Sequence, residues 1–302
     1  MPIRLAENFR AVFYAPFYAS RALGFYAAEG VEVEWIGVSA PGEGVAGLCD
    51  GTVDLTWGGP MRVMKARDRH ADSPLVCFCE VVGRDPFFLV GPACRRDQGT
   101  EGRGFRLTDL PQLRFAAVAE VPTPWMCLQH DLREQGVDPS RLDRAPDRPM
   151  GENLAALRRG EIDVVQTFEP DVSVALREGI GEVLYAASSR GETVYTTFIA
   201  TSDGIERHRA AFAGMVRAMR RMQAWLAVHS AEELAAIVAP FFPDIAPALL
   251  GDAIRRYRAA GIWSKRPEIS RQGFSRLGDS LRSGGFISGA PRYEDCVDQS
   301  LV

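Results

Sequence analysis

The sequence predicts an α/β fold with two lobes, each a mostly parallel sheet flanked by helices, followed by a helical C-terminal tail. Three observations lead to this prediction. Short strand-like runs alternate with helical segments over most of the chain before residue 190, which is typical of βαβ units. One helix–turn–strand segment occurs twice. The length of 302 residues fits about two domains.

The first lobe is predicted from elements with ordinary start and stop signals. Pro60 suits a first helical turn, since a missing N–H costs nothing there, and Gly30 suits a helix end. The predicted strands are Ile3–Ala6, Val31–Ile36, Val53–Thr56, Leu75–Val82 and Phe87–Val90. The predicted helices are Pro16–Glu29, Gly42–Asp50 and Pro60–Arg69.

A charged stretch, Arg95–Arg106, is predicted to be an exposed loop. After it the alternation resumes with strands Leu113–Val118, Ile162–Gln166 and Gly181–Ala186 and helices Pro124–Gln135, Asn153–Arg159 and Pro170–Glu178. From Ile205 onward the chain is predicted to be helical. A methionine-rich stripe from Phe212 to Leu226 indicates a core face, and further helices are predicted at Ala231–Val238, Pro247–Ala260 and Ser270–Leu281.

An internal repeat supports two equivalent lobes. Leu48, Gly51 and Asp54 recur 109 positions later as Leu157, Gly160 and Asp163. Both segments are predicted to run from a helix through a glycine turn into a strand and then a loop. The loops 57–59 and 167–169 therefore correspond, at carboxyl ends of strands, where open α/β sheets bind ligands.

The charge balance excludes several classes of partner. There are 35 Lys and Arg against 39 Asp and Glu, for a net charge of -4. This balance gives no basic footprint for nucleic acid or for an anionic membrane surface. No run approaches the roughly 18 apolar residues that span a bilayer. The expected partner is a small molecule or another protein.

Residues for catalysis are scarce. Only Lys65 and Lys265 could form a Schiff base, and none of the four histidines lies in an H-E-x-x-H arrangement. The chain contains no G-x-S-x-G elbow and no phosphate-binding glycine loop after a strand. Cys77 and Cys79 have the wrong spacing for a redox or zinc motif; on a strand they would face the same side. No catalytic residue, metal site or cofactor is predicted, and the protein is predicted not to be an enzyme.

Several motifs, in order along the whole chain, resemble one family. They are FYAPFYASRALGFYAAEGVEVEW near the start, G-x-x-D-L after a helix, EIDVVQTFEP in the second lobe and the terminal G-x-I-x-x-x-P-x-Y-E-D-x-V-D. Together they are similar to solute-binding proteins of the nitrate/sulfonate/taurine and thiamine-pyrimidine type, which serve ABC transporters.

The resemblance implies a two-lobed periplasmic-binding-protein fold that closes on its ligand by hinge motion. Lobe one is expected to comprise residues 1–90 and 195–302, and lobe two residues 91–194. Phe87–Val90 and Tyr195–Ala200 are expected to be the hinge strands. The expected ligand is a small organic molecule, either aminopyrimidine-like, sulfonate-like or aromatic. The expected protein is a monomer that delivers this ligand to an ABC transporter, without inserting into the membrane.

The resemblance also implies ligand-binding residues in the cleft. They are Asn8, Phe13, Tyr14, Trp57, Gly58, Gly59, Pro122, Thr123, Trp125, Phe168, Glu169 and Tyr195. For several of them a structural role is an open alternative. Thr123 suits a helix N-cap, and Glu169 could cap the helix at Pro170 or accept hydrogen bonds from a ligand amino group. Phe13 could pack internally, and Arg62 could hold an anionic group or lie on the surface.

Two alternative functions remain. The fungal thiamine-pyrimidine synthase has the same fold, but its lysine aligns with Gly58, its histidine with Arg62, and its cysteine motif with Gly191–Thr197. This self-consuming enzyme is therefore disfavoured. A cytosolic ligand sensor stays open because the first residues carry no signal peptide. As written the sequence predicts a cytoplasmic protein, and with a leader upstream it predicts a periplasmic one.

Overall fold

The computed structural model describes residues 1–38, 40–92 and 104–302. The strands are β1 (Ile3–Ala6), β2 (Val33–Ile36), β3 (Leu55–Gly58), β4 (Leu75–Val82), β5 (Phe88–Gly91), β6 (Arg114–Ala116), β7 (Asp143–Arg144), β8 (Val164–Thr167), β9 (Glu182–Ala186) and β10 (Thr196–Thr201). Most of the predicted loop Arg95–Arg106, with Cys94 before it, lies outside the described residues.

The helices separate the strands and then form the tail. They are α1 (Ala15–Ala22), α2 (Phe25–Ala28), α3 (Glu43–Asp50), α4 (Met61–Arg69), α5 (Thr123–Glu134), α6 (Met150–Arg158), α7 (Asp171–Glu178), α8 (Ser202–Arg207), α9 (Arg209–Val228), α10 (Ala231–Val238), α11 (Pro247–Ala260), α12 (Arg271–Ser283) and α13 (Tyr293–Cys296). No helix in the described part of the chain has both the length and the apolar character needed to cross a membrane.

Two five-stranded sheets share one topology. Their strand orders are β2-β1-β3-β10-β4 and β7-β6-β8-β5-β9. In each sheet one strand, β10 or β5, runs antiparallel to both neighbours, and the other four run in one direction. That antiparallel strand is the one that arrives from the other sheet along the chain. The predicted α/β architecture, with two mostly parallel sheets, is confirmed.

The internal repeat extends to individual hydrogen bonds. Asp54 Oδ2 accepts a bond from the backbone N of Arg4 at 3.0 Å, and Asp163 Oδ2 accepts one from the backbone N of Arg114 at 2.8 Å. In both sheets the aspartate N–H donates back to the arginine carbonyl. Gly51 and Gly160 turn the preceding helix into the strand with φ of +78° and +69°, which favours glycine.

The chain crosses between the sheets twice, and the two crossings lie side by side. Gly83 O accepts bonds from the backbone N of Thr193 and Val194. Arg190 forms buried ion pairs with Asp85 and with Asp131. The crossings therefore lie at residues 83–87 and 191–195, next to the predicted hinge strands, and the predicted lobe boundaries remain a proposal.

The helical tail contacts helices that flank both sheets. Arg177 of α7 pairs with Asp252 of α11 at 2.5 Å, and Arg133 of α5 donates to Ser283 Oγ of α12 at 2.9 Å. The tail was expected to complete lobe one and brace the back. Because α11 and α12 also contact α7 and α5, the tail bridges the two halves of the molecule.

Two local predictions are wrong for identifiable reasons. The helix predicted at Pro16–Glu29 is interrupted at Gly24, whose φ of +70° ends α1 before α2 begins. Cys77 and Cys79 do not face the same side, because a bulge at Cys79, with φ of +56°, breaks the alternation in β4. The two thiols consequently join different core clusters.

Candidate functional site

A small cavity lies where the two lobes meet. It is lined by Asn8, Phe9, Tyr14, Gly59, Met61, Arg62, Val121, Pro122, Thr123 and Tyr195. Its volume is about 20 Å³, which is room for about one water molecule. Six of these residues belong to the predicted ligand set, namely Asn8, Tyr14, Gly59, Pro122, Thr123 and Tyr195. Two larger hollows in the described structure, of about 410 and 330 Å³, are lined by none of that set.

Two helices begin at this cavity, one from each lobe. Gly59, Met61 and Arg62 bring the start of α4, while Pro122 and Thr123 bring the start of α5. The first N–H groups of a helix lack intrahelical partners and carry the positive end of the helix dipole. The cavity therefore has a local environment that favours a negative charge.

Arg62 places a full positive charge beside these helix ends. Its side chain is half-buried, and it forms no ion pair or hydrogen bond with any residue that the structure describes. Burial lowers the pKa of its guanidinium, and Tyr14 and Tyr195 act in the opposite direction. Arginine keeps its proton in proteins even so. An unpaired cation in a partly buried site is costly unless a ligand neutralises it.

Asn8 connects the loop after β1 with the loop before α3. Its Oδ1 accepts a hydrogen bond from the backbone N of Gly42 at 3.1 Å, and its Nδ2 donates to Tyr14 Oη at 3.1 Å. Both Asn8 and Tyr14 are buried. A Cβ added at Gly42 would lie 2.2 Å from Arg62 Nη1, so the loop packs directly against the guanidinium.

Gly59 forms a close approach between the lobes. A Cβ there would lie 3.9 Å from Thr123 Oγ1 and 3.5 Å from the carbonyl oxygen of Tyr195. The predicted N-cap role of Thr123 is wrong: Pro122 holds the N-cap position, Thr123 is the first residue of α5, and no side chain caps the helix. The Thr123 hydroxyl is therefore not used in capping.

Six residues of the predicted set lie outside the cavity lining, namely Glu169 and five that pack elsewhere. Phe13 and Trp57 are buried in the core, where Trp57 stacks on Phe17 at 4.5 Å between centroids. Trp125 packs against Phe115 and under Arg144. Phe168 contacts Phe9, Phe13 and Phe87. Gly58 lies behind Asn8, with its added Cβ 3.8 Å from Asn8 Nδ2. None of these five residues lines the cavity.

Glu169 has structural partners for both carboxylate oxygens. It is fully buried, Oε1 accepts from Arg256 Nε at 2.5 Å, and Oε2 accepts from the backbone N of Ser173 at 2.9 Å. Burial raises its pKa, and Ser173 and Arg256 lower it. The prediction that Glu169 accepts hydrogen bonds from a ligand is therefore corrected: it caps the first turn of α7, the alternative left open by the sequence.

Four residues of the lining were outside the predicted set: Phe9, Met61, Arg62 and Val121. Arg62 was considered as a group for an anion, against a surface role. The sequence feature that indicates a binding role for Arg62 is its position in the first turn of a helix. This helix follows Gly58-Gly59-Pro60, a loop that lets a ligand approach the backbone. No set of three or more His, Cys, Asp or Glu within the described residues is placed to hold a metal ion.

Comparison with known proteins identifies a matching family and a similar protein. Residues 9–239 match the sequence profile of the NMT1-like family. YtlA of Bacillus subtilis (strain 168), which bears the provisional name of a binding protein, is 23% identical over 302 residues, covering 99% of this chain and 88% of YtlA.

Two solved structures show the same fold. The periplasmic aliphatic sulphonate binding protein SsuA from Escherichia coli has a TM-score of 0.74 at 14% identity, covering 97% of this chain and 96% of SsuA. The desulfurization enzyme DSZB has a TM-score of 0.65 at 14% identity, covering 99% and 97%. The predicted resemblance to periplasmic solute-binding proteins, and their two-lobed fold, is confirmed.

Proposed function

This chain belongs to the NMT1-like family, and we propose that it is a solute-binding protein that holds a small organic anion between its lobes for uptake by an ABC transporter. The observation that carries this proposal is Arg62, a half-buried guanidinium without a partner among the described residues, at the point where α4 and α5 begin.

The remaining polar groups of the cavity also suit an anion. Tyr14, Thr123 and Tyr195 bring hydroxyls, which can donate hydrogen bonds, and no Asp or Glu belongs to the lining. A cationic ligand would find no carboxylate there. Because both oxygens of Glu169 are engaged elsewhere, an aminopyrimidine lacks the acceptor that the sequence had suggested for it.

The cavity must enlarge to admit an organic molecule. About 20 Å³ is far below the several hundred Å³ of ordinary ligand pockets. The two adjacent crossings at residues 83–87 and 191–195 supply a hinge about which the lobes separate. This geometry supports capture by opening and closing, as expected for a binding protein that delivers its ligand to a transporter.

A binding role is favoured over catalysis by the lining itself. DSZB is an enzyme with this fold, so the fold alone does not decide. The lining has no lysine, histidine, cysteine or carboxylate, so the Tyr14, Thr123 and Tyr195 hydroxyls have no base beside them to activate a nucleophile. Delivery to a transporter implies a periplasmic location, and the monomeric state remains a prediction from the family resemblance.

Calorimetric titration with matched ligand pairs tests the proposal. Butanesulfonate is compared with butanesulfonamide, and benzoate with benzamide, since each pair differs in charge at nearly constant shape. Nitrate and an aminopyrimidine complete the set. We expect saturable binding of at least one anion, weaker binding of its neutral partner by about tenfold or more, and no product after incubation. Binding of the aminopyrimidine alone, or turnover of a bound ligand, would contradict the proposal.

A further inference from the structure

The orientation of the Asn8 amide follows from its partners. The backbone N–H of Gly42 can only donate, so the atom of Asn8 that faces it, at 3.1 Å, must be the carbonyl oxygen. The amide NH₂ then faces Tyr14 Oη at 3.1 Å and donates to it. Asn8 is 5% exposed, which leaves little room for another arrangement.

Tyr14 Oη therefore accepts from Asn8 and keeps its own proton for another group. Burial raises the pKa of Tyr14 to about 12, so the hydroxyl stays protonated near neutral pH. The ring is held by Phe9, Phe13, Phe17 and Trp57. Thr196 Oγ1 is a buried hydroxyl close enough to Tyr14 to lower its pKa, but it lies in hydrogen-bond geometry with none of the described residues, so it is a rival acceptor for the Tyr14 proton.

The Asn8–Tyr14 pair shares the cavity with Arg62. Gly42 donates to Asn8, and a Cβ built on it would lie 2.2 Å from Arg62 Nη1. One loop thus holds the amide that directs the Tyr14 proton and also contacts the guanidinium. A ligand that reaches Arg62 lies beside a hydroxyl that is already directed to donate.

We infer that Asn8 is a positioning residue that makes Tyr14 a hydrogen-bond donor, so that the site selects ligand groups that present only acceptors. The inference rests on the proposed function and refines its specificity. A sulfonate or carboxylate oxygen accepts both the Arg62 and the Tyr14 protons. A sulfonamide or amide that turns its own N–H toward Tyr14 meets another donor and loses affinity, because two donors cannot satisfy each other.

A double-mutant cycle on the whole protein tests this. Asn8→Asp keeps an oxygen for Gly42 and replaces the NH₂ by an oxygen that takes the Tyr14 proton. Tyr14→Phe keeps the ring and removes the hydroxyl. Affinities for butanesulfonate and butanesulfonamide are measured for wild type, both single variants and the double variant. The negative charge added by Asn8→Asp acts on the ligand in both Tyr14 backgrounds. A difference in affinity loss between the two backgrounds therefore measures the effect that depends on the Tyr14 hydroxyl.

We expect Asn8→Asp to weaken butanesulfonate binding about fivefold more with the Tyr14 hydroxyl present than in the Tyr14→Phe background. The preference for sulfonate over sulfonamide should fall about tenfold in Tyr14→Phe. If Asn8→Asp does not fold, the change in the preference for sulfonate over sulfonamide in Tyr14→Phe is the test of the inference. Thr196→Val is expected to leave the preference unchanged.

Each other outcome overturns the inference. Equal losses in the two Tyr14 backgrounds, or an unchanged preference in Tyr14→Phe, would show that Asn8 does not act through Tyr14, while Arg62-dependent anion binding would leave the proposed function standing. A gain of preference in Thr196→Val would show that Thr196 takes the Tyr14 proton in the wild type. Absence of any anion binding by wild type would overturn both proposals.

Discussion

Glu169 and Arg256 form an ion pair, 2.5 Å between Oε1 and Nε, that joins the loop after β8 to the tail helix α11 across 87 residues of sequence. The backbone N of Glu169 also donates to Tyr257 Oη at 2.9 Å. Through these contacts the tail holds the second lobe. The carboxylate is completely buried, so its charge depends on Arg256 and on the N–H of Ser173.

Arg256→Leu is expected to lower the free energy of unfolding by about 3 kcal/mol, because it leaves a buried carboxylate without its cation. Denaturant unfolding measures the change. Arg255→Leu is the matched control: Arg255 is half-exposed and pairs with Asp252 at 2.7 Å, so its loss should cost about 1 kcal/mol or less. Equal losses of unfolding free energy in the two variants would show that the buried Glu169–Arg256 pair stabilises the fold no more than an exposed ion pair does.

Gly42→Ala is expected to reduce anion affinity about tenfold, because the added Cβ would lie 2.2 Å from Arg62 Nη1 and displace the guanidinium. The position also has φ of +99°, which strains alanine. Gly51→Ala at the other end of α3 is the control, with φ of +78° and open space around the new Cβ. It should lose similar stability and keep full affinity; parallel affinity losses would refute the contact with Arg62.

Stability is expected to depend on pH through Glu80. This carboxylate is buried beside the hinge, accepts from Ser264 Oγ at 2.5 Å, and has its pKa raised to about 7 by burial. Glu192 raises the pKa further, and Ser264, Ser270 and Arg266 lower it.

A raised carboxyl pKa means that folded Glu80 holds its proton more tightly than it does in the unfolded chain. Its contribution to stability is therefore fully present below the ordinary pKa of 4.5 and is lost as pH rises toward about 7. Glu80→Gln should flatten this decline in the melting temperature, while the exposed Glu182→Gln should not. An unchanged slope in Glu80→Gln relative to wild type would refute the role of Glu80.

Trp57→Phe is expected to leave anion affinity within about twofold of wild type. The indole is 1% exposed, stacks on Phe17 and lies outside the cavity lining, and its buried Nε1 has no partner among the described residues. The change should act on the melting temperature alone. A large affinity loss with an unchanged melting temperature would return Trp57 to the site, where the sequence analysis had placed it.

The fold was predictable where periodicity and local stop signals decide structure. The strand Leu75–Val82 and the helices Ala231–Val238 and Pro247–Ala260 have the predicted bounds. The repeat of Asp54 as Asp163 was visible because both residues make the same backbone contacts in equivalent sheets. The helix break at Gly24 and the bulge at Cys79 were not predicted, because a single left-handed residue does not change the periodicity of the residues around it.

The site was predictable only in part, since tertiary partners decide which polar groups remain free. Sequence order located the loops that meet at the cavity, and with them Asn8, Tyr14 and Thr123. It could not show that Arg256, far along the chain, engages Glu169. Nor could it show that Arg62 lacks a partner among the described residues, because that depends on every element packed around it.

Titration calorimetry of Arg62→Gln against the anion bound by wild type tests the central claim most directly. Arg10→Gln is the control, because Arg10, on the loop after β1 that brings Asn8 to the cavity, is likewise an arginine but is exposed and paired with Glu7. The account predicts a loss of about 2 kcal/mol or more in Arg62→Gln, roughly a 30-fold weaker affinity, and an unchanged affinity in Arg10→Gln. An unchanged affinity in Arg62→Gln would contradict it.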